Sequence, residues 1–459
     1  MARASALTQT RWIMCFGLCA LPVYCLYIEI RAPMRTIYSA LWYLLLPALF
    51  LRLWLRGRKA PAYRLRWKER MAWGYRSGIL KKSLWVHAVS VGETLAAAPL
   101  IERLLEDYPD VPLLVTTTTP TGSERVQALF GGRVTHVYCP WELPTALNRF
   151  MRAFDPQLVI VLETELWPNL CAAVKRHGAK LMLMNGRLSE KSYQGYGKLP
   201  RLIRPMMARF DALAVQTQVE AERYMALGAW PERVYPIGSV KFDMTLDAAV
   251  KQAAAALRSS FGNRPVWIAA STHPGEDALV LAAHKALREQ RPEALLILVP
   301  RHPERFAAVA DQIREAGLSV ARRSQQESAA GVDVYLADTM GELLMLFGTC
   351  DVAFVGGSLV PVGGHNLLEP AAWQKPVLTG PHLHNFTAIG QLLDDAGGLS
   401  VVEDAQSLGA TLLALLDDPA QCARQGKAAA GVVEANRGAL EKGLRLVAME
   451  LNTGLGPSG

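Results

Sequence analysis

From Leu84 onward, short apolar runs alternate with stretches whose apolar positions recur every third or fourth residue. Continuous apolar runs followed by amphipathic helices predict parallel strands covered on both faces, an α/β architecture. In such sheets ligands bind beyond the carboxyl ends of the strands, so the residues after each run are the candidates for chemistry. LWVHAVSVGET predicts a strand ending near Val89, a turn through Ser90 and Gly92, and a helix from Leu95 to Leu105, with Glu93 at the crossing. VPLLVTTTTPTGSERV ends in hydroxyls, among them Thr119, with Gly122 and Ser123 at a helix start where free N–H groups could hold a phosphate. LVIVLETELWPNL sets Glu163 and Glu165 just past a strand; residues two apart share a face only in an extended segment, so one of them is expected to face the site. KLMLMNGRLSEKSY offers Asn185, Arg187 and Ser189 in the corresponding place.

The second half repeats this grammar. GSVKFDM carries Lys241, and a helical run of alanines near 249 to 257 reads as a linker. PVWIAASTHPGEDALVL predicts a strand, a loop with Ser271, Thr272 and His273, and a helix; LLILVPRHPERF ends its strand at Arg301 and His302. VYLADTMGELLMLF contributes Gly341, and DVAFVGGSLVPVGGHNLLEPAAW contributes Gly356–Gly357, Gly363–Gly364, His365, Asn366 and Glu369. The glycine pairs let backbone approach a ligand closely, and a helix beginning near His365 would offer amides to a phosphate. A carboxylate such as Glu369 can accept both ribose hydroxyls, and an arginine such as Arg301 can clamp a phosphate bidentately. There is no Walker A loop and no GxGxxG fingerprint. His382 and His384 stand two apart without an acidic partner close in sequence, so no metal is expected.

With 459 residues, the chain suggests two domains and an appendage. The appendage is N-terminal: Trp12–Ile28 and Thr36–Leu51 are uncharged, largely apolar runs, each a little short of the roughly 20 residues of an upright membrane span. Glu29, Arg31 and Arg35 follow the first run in place of a signal-peptide cleavage site. Arg52, Arg56, Arg58, Lys59, Arg64, Arg66, Lys68 and Arg70, interleaved with Trp54, Tyr63, Trp67, Trp73 and Tyr75, follow the second. By the positive-inside rule this collar sets the remainder of the chain in the cytoplasm against anionic lipid. Much of the net charge of +8 lies here, and no nucleic-acid-binding motif accompanies it. Seven cysteines form no CxxC pair and no zinc spacing, and read as small hydrophobes in a reducing compartment.

The segments RGRKAPAYRLRWKERMAW, HAVSVGET, TTTTPTGSERV, ETELWPNL, NGRLSEKSY, VQTQVEAERY, GSVKFD, STHPGE, PRHPERF and GGSLVPVGGHNLLEPA, in this order, resemble the Kdo transferase family (Kdo is 3-deoxy-D-manno-oct-2-ulosonic acid). The resemblance runs from about Tyr38 almost to the C-terminus. It implies a GT-B fold: two Rossmann-like domains facing a central cleft, with a membrane anchor within residues 1–56, an acceptor domain over 57–245 and a CMP-sugar domain over 246–459 whose last helix packs back on the first. It implies Glu93 as general base and Glu163 or Glu165 as a second essential acid. Donor-binding positions would be Lys241, Ser271, His273, Arg301, His302, Gly341, Gly363, Gly364, His365, Asn366 and Glu369; acceptor-binding ones Ser90, Gly92, Thr119, Gly122 and Arg187. The implied reaction moves Kdo from CMP-Kdo to a lipid A precursor with inversion, without a metal or other cofactor, at the cytoplasmic face of a bacterial inner membrane. Residues 1–33 precede the usual family start; MRTIYSALWYLLLP makes Met34 the expected initiator, with a second membrane segment as the alternative. Competing readings are a sugar-nucleotide 2-epimerase of the same fold, which has no use for the apolar run and collar, and a scaffold protein, which has no use for Glu93, Arg301 and Glu369.

Overall fold

The computed structural model describes residues 33–454. The apolar run Trp12–Ile28 lies outside them. The chain divides into two compact units, one running to Ser239 and taking up the chain again from Leu440, the other spanning Val240–Ala439. The division falls at Ser239, where the sequence reading put it at 245. The alanine-rich stretch read as a linker is the helix Ala248–Ser260 inside the second unit, which packs on the short helix Leu343–Phe347.

The first unit holds β1 (Ser83–His87), β2 (Leu113–Thr117), β3 (Thr135–Tyr138), β4 (Pro156–Leu162), β5 (Lys180–Gly186), β6 (Ala212–Val215) and β7 (Val234–Pro236). They form one parallel sheet in the order β3-β2-β1-β4-β5-β6-β7. Strand β1 is buried along its whole length and pairs Trp85 with Leu114 on one side and Val159 on the other. Burial on both faces explains why these strands read as unbroken apolar runs. Proline opens the helices Pro120–Phe130, Pro144–Phe154, Pro168–His177 and Pro200–Met207, where its missing N–H removes no helical bond. The terminal helix Ala439–Gly454 belongs to this unit from Leu440 on, tied by the ion pairs Lys180–Glu450 and Arg103–Glu441.

The second unit repeats the design. Its strands β8 (Val266–Thr272), β9 (Leu295–Pro300), β10 (Val320–Arg322), β11 (Val334–Leu336), β12 (Val352–Val355), β13 (Val377–Thr379) and β14 (Leu399–Val401) form a parallel sheet in the order β10-β11-β9-β8-β12-β13-β14. Each sheet is seven-stranded, and each reverses its direction of winding once, between β1 and β4 in the first and between β8 and β12 in the second. Two such units are the components of a GT-B fold.

The helix Pro33–Arg56 precedes the first sheet, and its residues Met34–Arg56 are long and apolar enough to cross a membrane. Of the eight collar cations, two do not face outward. Arg70 is buried and stacks on Tyr138, and Arg66 binds Glu69 and Ser123 while lying over the other reach of the same ring. Charge and aromatic pairing within the fold claim these two arginines, leaving Arg52, Arg56, Arg58, Lys59, Arg64 and Lys68 exposed. Cys139, Cys171 and Cys350 are buried free thiols. Burial raises the pKa of all three, which keeps them protonated and inert.

Candidate active site

The two winding reversals are where a doubly wound sheet opens a crevice for ligand. In the first unit the reversal sets the loop after β1 beside the loop after β4, and with them Glu93 beside Glu163 and Glu165. Glu93 stands in the first turn of the helix Val91–Asp107, whose N-cap is Ser90. Its carboxylate accepts the backbone N–H of Val89 (2.9 Å) and the hydroxyl of Ser90 (3.1 Å). The sequence left two opposing effects on this group: helix amides lowering its pKa and desolvation raising it. Desolvation wins, and repulsion from Glu165 and Glu163 adds to it, so the carboxyl is pushed up to about 7 against the bond from Val89.

Only one of the paired glutamates was expected to face the site, because residues two apart share a face only in an extended segment. Instead Glu163 adopts φ 53°, the chain turns sharply, and both carboxylates come within electrostatic reach of Glu93. Glu165 is itself raised, chiefly by burial, and accepts the Trp167 indole N–H at 2.6 Å. A left-handed non-glycine residue costs about 1 kcal/mol or more. It recurs at the ends of the strands that carry candidate residues: Glu163 after β4, Asn185 in β5, and Ser271 (φ 59°) in β8.

The residues expected around this acid cluster divide into two kinds. Ser90 is spent on capping, and Thr119 caps the helix Pro120–Phe130 by accepting the Gly122 N–H. Gly122 is a packing residue, since a Cβ there would lie 2.9 Å from Thr119 Oγ1 and 3.5 Å from the Ser90 carbonyl carbon. Ser123 is buried under Arg66, so the expected phosphate cradle is closed at that residue. Gly92 and Arg187 remain exposed, and the Arg187 carbonyl holds the Thr164 hydroxyl at 2.7 Å, fixing the turn that carries Glu163 and Glu165.

In the second unit the reversal brings the loop after β8 against the loop after β12. His273 and His365 stack with their Nε2 atoms 2.8 Å apart, so one ring donates and the other accepts. His302, from the loop after β9, meets His273 edge-on. Burial pushes His365 down to about 4 and also lowers His273, with neighbouring cationic Arg301 acting in the same direction, so the pair is neutral. Arg305 is committed to the Thr272 carbonyl and the buried Asp277, whereas Arg301 is exposed and makes no ion pair among the described residues. An uncommitted guanidinium beside neutral imidazoles is suited to a phosphate.

The glycine pairs serve a different end from the one expected. Gly363 and Gly364 both donate their N–H to the Gly357 carbonyl, and side chains there would collide with Asn385, His384 and Leu383. Gly357 takes φ 68° so that the two imidazoles can lie on its backbone, and a Cβ would sit 2.9 Å from His365. The helix expected from His365 begins at Leu368, whose N–H is accepted by Asn366 Oδ1 at 3.1 Å. Asn366 also donates to Glu369 at 3.0 Å, and burial raises the Glu369 carboxyl. Gly341 lies exposed after β11 at φ 86°, and Lys241 lies half-buried in the 3-10 turn Val240–Phe242 that opens the unit.

One residue was missed. Glu276, fully buried at the first turn of the helix Glu276–Gln290, accepts four backbone N–H groups: His273 (2.9 Å) and Gly357 (2.7 Å) at one oxygen, Ser358 and Leu359 (2.9 Å each) at the other. It ties the loop after β8 to the loop after β12 and so holds His273 against His365. The buried acid following STHPG was in plain view, but three of its four partners are some 80 residues away.

Comparison with known proteins decides between the readings of this fold. The chain is 41% identical over 417 residues to a 3-deoxy-D-manno-octulosonic acid transferase of Haemophilus influenzae, covering 90% of this chain and 98% of that protein. The chain belongs to the Kdo transferase family. The enzyme of the same name from Bordetella pertussis is 36% identical, with 89% and 98% covered. Residues 65–244 match the family model described as 3-deoxy-D-manno-octulosonic-acid transferase (kdotransferase). The crystal structure of UDP-GlcNAc 2-epimerase from Neisseria meningitidis superposes with a TM-score of 0.55 over 81% of this chain and all of that one, at 13% identity. That likeness is one of fold alone; the family relationship selects the transferase over the epimerase. Within the Kdo transferase family the N-terminal match begins in the collar, so the chemistry-bearing loops of the first unit are all inside it.

Proposed function

We propose that this Kdo transferase takes Kdo from CMP-Kdo and places it on the glucosamine-based lipid A precursor, lipid IVA, inverting the anomeric configuration, at the cytoplasmic face of the inner membrane. The observation that carries the reading is the near-neutral Glu93 carboxyl at the sheet reversal. A base with a pKa near the working pH combines sufficient ionisation with sufficient strength. The acceptor hydroxyl loses its proton to Glu93 as its oxygen bonds to the anomeric carbon of Kdo, and the bond from that carbon to the CMP phosphate oxygen breaks with its electron pair. The leaving phosphate is weakly basic and calls for charge stabilisation rather than an acid, a role suited to Arg301. Glu163 and Glu165 keep Glu93 basic through their negative charge, and Asn366 with Glu369 offers a carboxamide and a carboxylate to the nucleoside. Incubating the chain with CMP-Kdo and tetraacylated lipid A precursor, read by mass spectrometry, should show the acceptor gaining the mass of Kdo. An unchanged acceptor mass rejects the proposal.

Arg301→Ala should weaken CMP binding by about 10- to 150-fold, the range for a hydrogen bond to a charged group. Arg301→Lys should recover only part of this, because an ammonium cannot reproduce the bidentate fork. Titration calorimetry with CMP checks both, and unchanged affinity in the alanine variant removes Arg301 from the donor site.

A further inference from the structure

The anchor helix Pro33–Arg56 carries two stripes. Tyr38, Ser39, Trp42, Leu46, Leu49, Phe50 and Leu53, spaced three or four apart, are half-buried along its length. Ile37, Leu41, Leu44, Leu45, Leu51 and Leu55, on the opposite side, are exposed, Leu44 to 76%. The inward stripe meets the body of the first unit at both ends. Near the helix start, Ser39 Oγ bonds Asn169 Oδ1 (3.1 Å), Tyr43 bonds the Thr145 hydroxyl (2.8 Å), and Trp42 meets Trp167 edge-on. Towards its end Phe50 packs on Trp67 and Trp141. The helix also packs on the helices Pro168–His177 and Pro200–Met207.

A helix that crosses a bilayer is surrounded by hydrocarbon over about 30 Å. Here the half that would lie in the far leaflet is hydrogen-bonded to a water-soluble domain. Crossing would drag Asn169, Thr145 and the exposed cations Arg201 and Arg204 of the adjacent helix into the bilayer core. We therefore infer that the anchor helix lies in the plane of the membrane, its outer apolar stripe sunk into one leaflet of an anionic phospholipid bilayer and its inner stripe retained on the protein. This rests on the anchoring reading above and changes its geometry.

The surroundings fit that occupant. At the end of the helix, the guanidinium groups of Arg58 (4.6 Å) and Arg64 (5.2 Å) lie over the Trp54 ring, and Arg56 lies over Tyr63 (5.6 Å). Lys198, Arg201 and Arg204 flank exposed Leu199 on the neighbouring segment. Cations at the end and along the side of an apolar stripe match an anionic headgroup layer over a helix lying flat.

Depth measurement tests this. Nitroxide labels on Ile37→Cys, Leu44→Cys, Leu51→Cys and Leu55→Cys, in the full chain with its native cysteines replaced, are read by relaxation in vesicles of phosphatidylethanolamine and phosphatidylglycerol. All four sites are exposed, so the substitutions leave the packing intact. A flat helix gives four depths within about 5 Å of one another, one helical turn. A crossing helix separates Ile37 and Leu55 by roughly 27 Å and leaves a thiol at 37 open to an impermeant reagent from the opposite side, which overturns the in-plane geometry while keeping the anchor. Four labels that never enter the bilayer overturn the anchor and the proposal together.

Discussion

Glu93→Gln lowers turnover by about 10²- to 10⁴-fold, the range for loss of a general base, with little change in donor binding. The amide is nearly isosteric and still accepts from Val89, so the loop keeps its shape and the loss is chemical. With a carboxyl near 7, the ionised fraction of Glu93 falls as pH drops, so kcat/KM of the parent chain descends on the acid side with a midpoint near 7. The same shift has a stability consequence of opposite sense. The folded carboxyl holds its proton to about 7, while the unfolded one releases it near the ordinary glutamate value of 4.5, so the folded state binds more protons between those values. Stability therefore declines as pH rises from 4.5 to 7, and above 7 the ionised group opposes folding. Glu93→Gln removes that opposition. Denaturant melts at pH 8 are expected to show the inactive variant at least as stable as the parent, and below pH 5 the difference should shrink. A flat acid limb, or a variant that is inactive because it is less stable at pH 8, would remove Glu93 from the role of base.

The strand-and-helix grammar and the positions of Glu93, Glu163, Glu165 and His273 were legible because they depend on local pattern alone: a buried run followed by a turn places its next polar residue at the carboxyl end of a strand. Which side a residue serves was not legible wherever the partner is remote. Arg66 and Arg70 looked identical to Arg64 and Lys68 until Tyr138, from another strand, claimed them. The Gly363 and Gly364 amides looked free for a phosphate but answer the Gly357 carbonyl, and the space beside them is filled by residues 383–385. For Glu163 and Glu165 the spacing rule allowed a shared face only in an extended strand, and a sharp turn at one left-handed residue brings both to the site instead. The helix Pro33–Arg56 showed the same limit. Its apolar length was readable, but the stripe that holds it is, apart from Ser39 against Asn169 and the Tyr38 hydroxyl, apolar like the rest of the helix and so gives little sign of which face packs against Trp141.

Glu276→Ala is expected to be the most disruptive single change in the second unit. It strands four N–H groups at once, those of Gly357 and Ser358 buried and those of His273 and Leu359 partly so, and an unsatisfied buried donor costs about 1–3 kcal/mol, so even with relaxation the loss should be on the order of 4 kcal/mol in denaturant melts. Glu276→Gln is the more informative variant. A glutamine has one acceptor oxygen, so it can satisfy one pair, His273 with Gly357 or Ser358 with Leu359, and turns its NH₂ donors against the other pair. Either choice loosens one of the two loops. The fold should survive in part, while CMP affinity drops because His273 is no longer fixed against His365 and the turn from Gly357 to Leu359 is free to move. Glu276 touches no ligand in this scheme; it acts through position. Glu276→Asp separates position from charge: the shorter side chain keeps the carboxylate but cannot span both loops, so it should lose affinity nearly as far as the glutamine variant. Calorimetric CMP affinities that follow the melting midpoints in all three variants would mark Glu276 as a stability residue only. Affinity lost well beyond the change in midpoint would identify it as the residue that sets the donor loops in place.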